Sequence, residues 1–217
     1  MKAHDLLAAL LDPETFRSWD SEPVDVRPDP AYAADLARAR RATGLDESVV
    51  TGEGRLGGRR IAVAASEFGF LGGSIGAGAG ERLTAAIERA TAERLPLIAA
   101  PASGGTRMQE GTRAFLQMVK ITAAVVAHKS AGLPYLVYLR HPTTGGVFAS
   151  WASLGHLTLA EPGALIGFLG PRVYEALRGS PVPDGVQTAE NLLAHGVVDA
   201  VVPQDGLGPR HRGPRGR

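Results

Sequence analysis

The chain contains no cysteine. That absence excludes disulfides, thiolate metal sites and a cysteine nucleophile together. No apolar run approaches the ~20 residues that a bilayer-spanning helix needs. Asp5, Asp12 and Glu14 interrupt the short apolar stretch from Leu6 to Leu11, so the N-terminus does not read as a secretory signal. The expectation is a cytoplasmic protein that engages no membrane. An excess of one charge is also missing. The formal net charge is +1, and Pro203 to Arg217 holds four Arg against one Asp, which leaves −2 for the rest. On that balance the body offers no nucleic-acid-binding surface. The sequence has no Walker A lysine motif, no Gly-x-Ser-x-Gly elbow and no His-Glu-x-x-His. Its six histidines are scattered, none pairing with another at metal-ligand spacing. His128 falls near a helix C-terminus, where a cation is favoured anyway. Only His141 adjoins a glycine loop.

What is present suits one domain with a short appendage: 217 residues, 44% of them hydrophobic. Residues 1–47 read as an N-terminal helical arm. Leu6, Leu7, Leu10 and Leu11 recur at helical spacing, and Ala31 to Ala42 ends at Gly44, a C-cap residue. Residues 48–202 read as the main domain. Ser48 to Gly54 and Arg59 to Ser66 flank Gly57-Gly58, the signature of a hairpin. A helix is expected from Glu81 to Leu95, with Leu83, Ala86, Ile87 and Ala90 inward. Leu97 to Ala100 reads as a strand. A long helix follows over Gln109 to Ala131, its core face assigned to Phe115, Met118, Val119, Thr122, Val125 and Val126. Tyr135 to Leu139 is the next strand, and shorter elements alternate to Val202. Residues 203–217, mainly Gly, Pro and Arg, read as a disordered tail. Strands alternating with helices predict an α/β fold with mostly parallel pairing. Short, unequal strands favour a spiral of strand–strand–helix units over an open Rossmann sheet, and periodicity leaves both open.

Glycine is abundant and clustered, with 28 in the chain. The run Gly72-Gly73-Ser74-Ile75-Gly76-Ala77-Gly78-Ala79-Gly80 lacks the G-x-G-x-x-G spacing of a dinucleotide site. Two other loops each follow a predicted strand and precede a helix. One is Ser103-Gly104-Gly105-Thr106-Arg107-Met108-Gln109-Glu110-Gly111; the other is Pro142-Thr143-Thr144-Gly145-Gly146-Val147. At such a junction backbone N–H groups point outward from the helix start, and the helix dipole favours negative charge. Paired glycines admit a ligand close to the backbone. These are the parts of an oxyanion hole, in which each well-aimed donor contributes roughly 3–4 kcal/mol of transition-state stabilisation. The plain alternative for either loop is a tight β-to-α turn.

At these residues the sequence resembles the β subunit of acetyl-CoA carboxylase carboxyltransferase. The likeness is carried by Phe70-Leu71-Gly72-Gly73-Ser74-Ile75-Gly76, by the two loops above, by Ala160-Glu161-Pro162-Gly163-Ala164-Leu165-Ile166-Gly167-Phe168-Leu169-Gly170-Pro171-Arg172-Val173, and by Gln187 through Val202. It runs from about Leu6 to Val202. The arm from Phe16 to Gly44, with Trp19-Asp20-Ser21, resembles actinobacterial chains in which β-like and α-like halves are fused. The resemblance implies a crotonase-like ββα superhelix with an N-terminal helical arm. It implies transfer of a carboxyl group from carboxybiotin, presented by a biotin carboxyl carrier protein, to acetyl-CoA to give malonyl-CoA. On that pattern Gly145 and Gly146 hold the thioester enolate oxygen. Gly104 and Gly105 line the CoA pocket or contribute a second amide, Gly72, Gly73 and Gly76 shape the CoA channel, and Ser103 and Arg107 belong to the same binding region. The implied partners are an α-type carboxyltransferase half, the carrier protein and biotin carboxylase, in an oligomer. Many bacterial β subunits carry a four-cysteine zinc ribbon, which a chain without cysteine cannot form, so no zinc is expected. The chain stops where the fused form would continue, and the expectation is a short or truncated half that needs an α partner.

Three other readings compete. A crotonase-type hydratase or isomerase needs placed carboxylates, and Glu110 and Glu161 are the candidates near the loops. A malonyl-thioester decarboxylase subunit would use the same enolate chemistry. A non-catalytic CoA-binding assembly module would need neither.

Overall fold

The computed structural model describes residues 1–208. Its elements run α1 (Ala3–Leu10), β1 (Arg17–Ser18), α2 (Pro30–Thr43), β2 (Val49–Leu56), β3 (Arg59–Ser66), α3 (Ala77–Ala92), β4 (Leu97–Ala100), α4 (Gly111–Ser130), β5 (Tyr135–Leu139), β6 (Thr143–Thr144), α5 (Gly145–Phe148), β7 (Leu157–Ala160), β8 (Ile166–Gly167), α6 (Pro171–Arg178), α7 (Ala189–Ala194) and β9 (Ala200–Val201). Seven strands form one sheet in the order β1-β2-β3-β4-β5-β7-β9. The first three pair antiparallel, and the rest are parallel. A second sheet pairs β6 with β8. The helices returning between parallel strands cover one face, and the buried residues of α3 and α4 pack there against β3, β4 and β5. The other face carries α1.

Several elements follow from local chemistry. Gly57 and Gly58, both at positive φ, close the β2–β3 hairpin, as a two-residue turn matching strand twist requires. Asp29 caps α2 by accepting from the Tyr32 N–H, Pro30 opens the helix, and Gly44 ends it in the left-handed conformation. The arm lies against the sheet. Leu6, Leu7, Leu10 and Leu11 are buried with Val50, Ile61 and Tyr138, and β1 adds an edge strand at Gly52, where a Cβ would overlap the Arg17 carbonyl oxygen.

Three expectations are corrected. Helix α3 begins four residues early, inside the glycine run, because Gly78 and Gly80 are close-contact positions. A Cβ on Gly80 would lie 2.5 Å from the Gln117 side chain of α4, and one on Gly78 2.9 Å from Glu47 Oε2. Helix α4 is rotated relative to its expected face. Met118 and Val125 are buried, but beside them lie Ala114, Gln117, Ile121, Ala124 and His128, whereas Phe115 and Val119 are each 62% exposed and Val126 is exposed too. An all-round apolar helix leaves its inward face undetermined by periodicity, and the close approach at Gly80 favours small residues there. The expected disordered tail is ordered as far as Gly208. Gln204–Gly206 form one 3₁₀ turn, and Leu207 packs beside Leu6 and Leu10. Residues 209–217 of that tail lie outside the described residues.

Candidate functional site

The two glycine loops meet at the carboxyl ends of β4 and β5, the edge of a parallel sheet where ligands are commonly held. Ser103 N–H donates to the Pro142 carbonyl at 2.6 Å and Thr144 N–H to the Ser103 carbonyl at 2.9 Å, so the segments run parallel in register. The His141–Pro142 bond is cis. The loops then touch through bare backbone. A Cβ on Gly105 (φ +115) would lie 3.4 Å from Gly146 N, and one on Gly145 (φ +66) 3.3 Å from the Gly104 carbonyl oxygen. This is the close approach that paired glycines permit and larger residues would wedge apart.

Accounting for each N–H separates the glycines. Gly104 N–H donates to the Gly72 carbonyl at 2.9 Å. Gly105 N–H donates to Ser103 Oγ at 3.0 Å. Both amides of the first loop are thus committed within the chain, and the expectation that Gly104 or Gly105 supplies a second free amide is corrected. Gly145 supplies the left-handed turn into α5. Gly146, in the first turn of that helix, has an N–H with no acceptor among the described residues. The Thr106 N–H likewise has none, and Thr106 Oγ1 would lie 2.8 Å from a Cβ on Gly146. Thr106 was not singled out from the sequence. Only the tertiary pairing of its neighbours Gly105 and Arg107 with Ile75 reveals its own amide as unpaired.

Gly146 lies beside Thr106, and Thr106 lines an open cleft of about 580 Å³. Its outer wall is Phe68, Leu71, Gly72 and Ser74; its inner wall is Gly104, Thr106, Met108 and Gln109. Gly73 (φ +62) holds the walls in contact, since a Cβ there would overlap the Ala102 carbonyl oxygen. Ser103 is fully buried and orders the turn rather than facing the cleft.

Two expected cleft residues lie elsewhere. Arg107 is 1% exposed. Its guanidinium donates to Glu47 Oε1 at 2.5 Å, Glu47 Oε2 at 2.9 Å and the Ser74 carbonyl at 2.7 Å. Burial opposes its charge, but the hydrogen bonds and field of Glu47 prevail and hold the guanidinium pKa above its usual value. Gly76 abuts this cluster rather than a channel, for a Cβ would overlap Glu110 Oε1. The two candidate carboxylates are also committed. Glu110 accepts from Tyr32 Oη at 2.6 Å and from the Ala77 N–H at 2.6 Å. Glu161 accepts from the His141 N–H at 2.9 Å and from Gln204 Nε2 at 2.5 Å. His141 Nδ1 accepts from the Leu165 N–H at 3.1 Å, a structural contact. His128 is buried between Thr91 Oγ1 and the Pro134 carbonyl. Burial depresses its pKa, outweighing the Pro134 carbonyl, so it does not serve as the helix-terminal cation the sequence suggested.

The site therefore offers, at and beside the Thr106 wall of the cleft, two main-chain donors with no acceptor among the described residues, with both nearby carboxylates turned to structural use. Comparison with known proteins agrees on the fold. The chain is 26% identical to the Pseudomonas malonate decarboxylase MdcD–MdcE hetero-dimer over 95% of its own length and 81% of that chain, with a TM-score of 0.75. It is 26% identical to transcarboxylase 12S, solved with methylmalonyl-coenzyme A and methylmalonic acid bound, over 95% of its length and 39% of that chain, with a TM-score of 0.78. The fold is the crotonase-like fold. In sequence it is 72% identical to the probable biotin-dependent acyl-coenzyme A carboxylase beta3 subunit of Mycobacterium tuberculosis (strain ATCC 25618 / H37Rv), over 93% of this chain. It spans 41% of that relative's length. It is 47% identical to the acetyl-coenzyme A carboxylase carboxyl transferase subunit beta of Parasynechococcus marenigrum (strain WH8102), over 94% of this chain and 72% of that subunit. Residues 10–207 match the family described as the carboxyl transferase domain. With nearly the whole described chain inside that match, the chain belongs to the carboxyl transferase domain family.

Proposed function

We propose that this chain is the acyl-CoA-binding β component of a biotin-dependent carboxyltransferase and that its acceptor is acetyl-CoA, converted to malonyl-CoA. The observation that carries the reading is the unpaired Gly146 N–H at the start of α5, beside Thr106 at the inner end of the cleft. Loss of the α-proton places negative charge on the thioester oxygen, and a pre-aimed amide stabilises that charge without reorganising. Glu110 and Glu161 are held in structural hydrogen bonds, which weakens a hydratase or isomerase reading that needs a free acid and base. A carboxyl donor supplies the base instead. Carboxybiotin, a second substrate carried by a carrier protein, releases carbon dioxide, the ureido anion takes the α-proton, and the enolate carbon bonds to the carbon dioxide. The donor side would come from an α-type half, with biotin carboxylase recharging the carrier.

Acetyl-CoA as acceptor rests on the 47%-identical relatives, while the 72%-identical relative is named only for acyl-coenzyme A. The test mixes the chain with an α-type half and carboxylated carrier protein and follows labelled carboxyl transfer to acetyl-CoA and to propionyl-CoA. Transfer should require the mixture and favour acetyl-CoA. Turnover of propionyl-CoA alone would move the substrate assignment. Release of carbon dioxide from malonyl-CoA with no biotin present would favour the decarboxylase reading.

A further inference from the structure

A buried polar cluster joins the N-terminal helix α2 to both cleft walls. Tyr32, Leu36 and Ala39 of α2 pack on Phe70, with Leu71 at the edge, so the helix backs the outer wall directly. The Tyr32 hydroxyl crosses to the inner wall, donating to Oε1 of Glu110 at 2.6 Å. Glu110 immediately follows Met108 and Gln109, which line the cleft. Its other oxygen accepts the Ala77 N–H at the start of α3. Arg107 ties the opposite side: one nitrogen lies 3.3 Å from Tyr32 Oη and 3.5 Å from Glu110 Oε1, and the other reaches the Ser74 carbonyl of the outer wall.

The charges in this cluster do not balance. Glu47 and Glu110 present two carboxylates to the single Arg107 guanidinium, and the side chains of all three are nearly inaccessible. The N-terminus of α3 offsets the excess through its orphan N–H groups and dipole, and Gly76 and Gly78 leave room for both carboxylates to approach it. Under that load each donor to Glu110 matters, because an under-satisfied buried carboxylate is costly. Burial, reinforced by the bond to Glu110, raises the Tyr32 pKa well above the ordinary phenol value, so the hydroxyl stays a donor at every working pH.

We infer that Tyr32 is a positioning residue that fixes the spacing of the two cleft walls through Glu110 and thereby sets the affinity for the CoA thioester. This rests on the cleft being the thioester site, as proposed above. The test is Tyr32→Phe in the full chain, which keeps the ring on Phe70 and removes only the donor. Calorimetric titration with acetyl-CoA should show Kd raised fivefold or more. In the complex with an α-type half, KM for acetyl-CoA should rise by a similar factor, with kcat and the KM for the biotin donor within twofold of wild type. Thr91→Val, which breaks the bond to His128 away from the cleft, should lower stability and leave Kd unchanged. A wild-type Kd in Tyr32→Phe overturns the positioning role. A fall in kcat at unchanged KM also overturns it, since a merely structural lesion lowers the amount of active protein. A wild-type chain without affinity for acetyl-CoA or free coenzyme A would instead sink the reading of the cleft itself.

Discussion

Replacing Gly146 with proline and, separately, with alanine sets the loss of one N–H, with the constraint of the ring, against the cost of a Cβ alone. Gly146 sits in the first turn of α5, where its amide has no helical acceptor, so proline removes a donor that the fold does not use. Alanine keeps the donor and adds only a Cβ. That carbon would lie 2.8 Å from Thr106 Oγ1 and 3.5 Å from Met118 Cγ. The nearer atom is one branch of a β-branched side chain, so relief takes a change of the Thr106 χ1 rotamer, of order 1 kcal/mol. A lost oxyanion donor is worth roughly 3–4 kcal/mol, or about 10²–10³ in rate. The chain reconstituted with an α-type half should therefore lose about tenfold or less as Gly146→Ala and a further hundredfold or so as Gly146→Pro. The loss should fall on kcat rather than KM, because the donor is used most strongly as charge develops. Single-turnover carboxyl transfer measures the step directly, and circular dichroism checks that both variants fold. Equal impairment of the two variants would show that crowding, not the donor, sets the rate, and the amide argument would be wrong.

Two further outcomes follow from burial. Since the His128 pKa is depressed in the fold, chiefly by desolvation, the unfolded chain binds the proton more readily. Stability should then be full above the unfolded-state value of about 6.5 and fall as pH drops below it, until the folded-state value is reached. His128→Gln should flatten the change in urea midpoint between pH 7 and 5, and an unaltered slope would assign the effect to another group. Phe115→Glu combined with Val119→Glu, on the exposed face of α4, should leave the urea unfolding midpoint nearly unchanged. A large fall in the midpoint would show that this face is packed rather than exposed.

Much of the architecture was legible in the chain because its signals are local. Gly57-Gly58 between two alternating runs specified the hairpin. Leu83, Ala86, Ile87 and Ala90 marked the inward face of α3, and Gly44 its predecessor's end. The junctions at Ser103-Gly104-Gly105 and Gly145-Gly146 were recognisable as a pair, and the structure brings them into contact. The inward face of α4 was not legible, because Phe115, Val119 and Val126 are as apolar as the residues that are buried. The start of α3 was hidden because glycines that read as loop are small for packing against Gln117 and Glu47. The tail beyond Val202 concealed Leu207, a single apolar anchor among turn residues.

The sequence by itself determined the order of elements, the two glycine turns and the want of any cysteine or histidine constellation for chemistry, since each is a matter of residue type and near spacing. Tertiary structure decided which amides remain available. Gly104 is satisfied by Gly72 and Gly105 by Ser103, while Gly146 and Thr106 have no acceptor among the described residues. It also turned Arg107, a candidate binding residue, and Glu110, a candidate acid, into the buried fastening of the cleft. A hydrogen bond between segments far apart in the chain depends on where the fold sets them, and that is a property of packing rather than of composition.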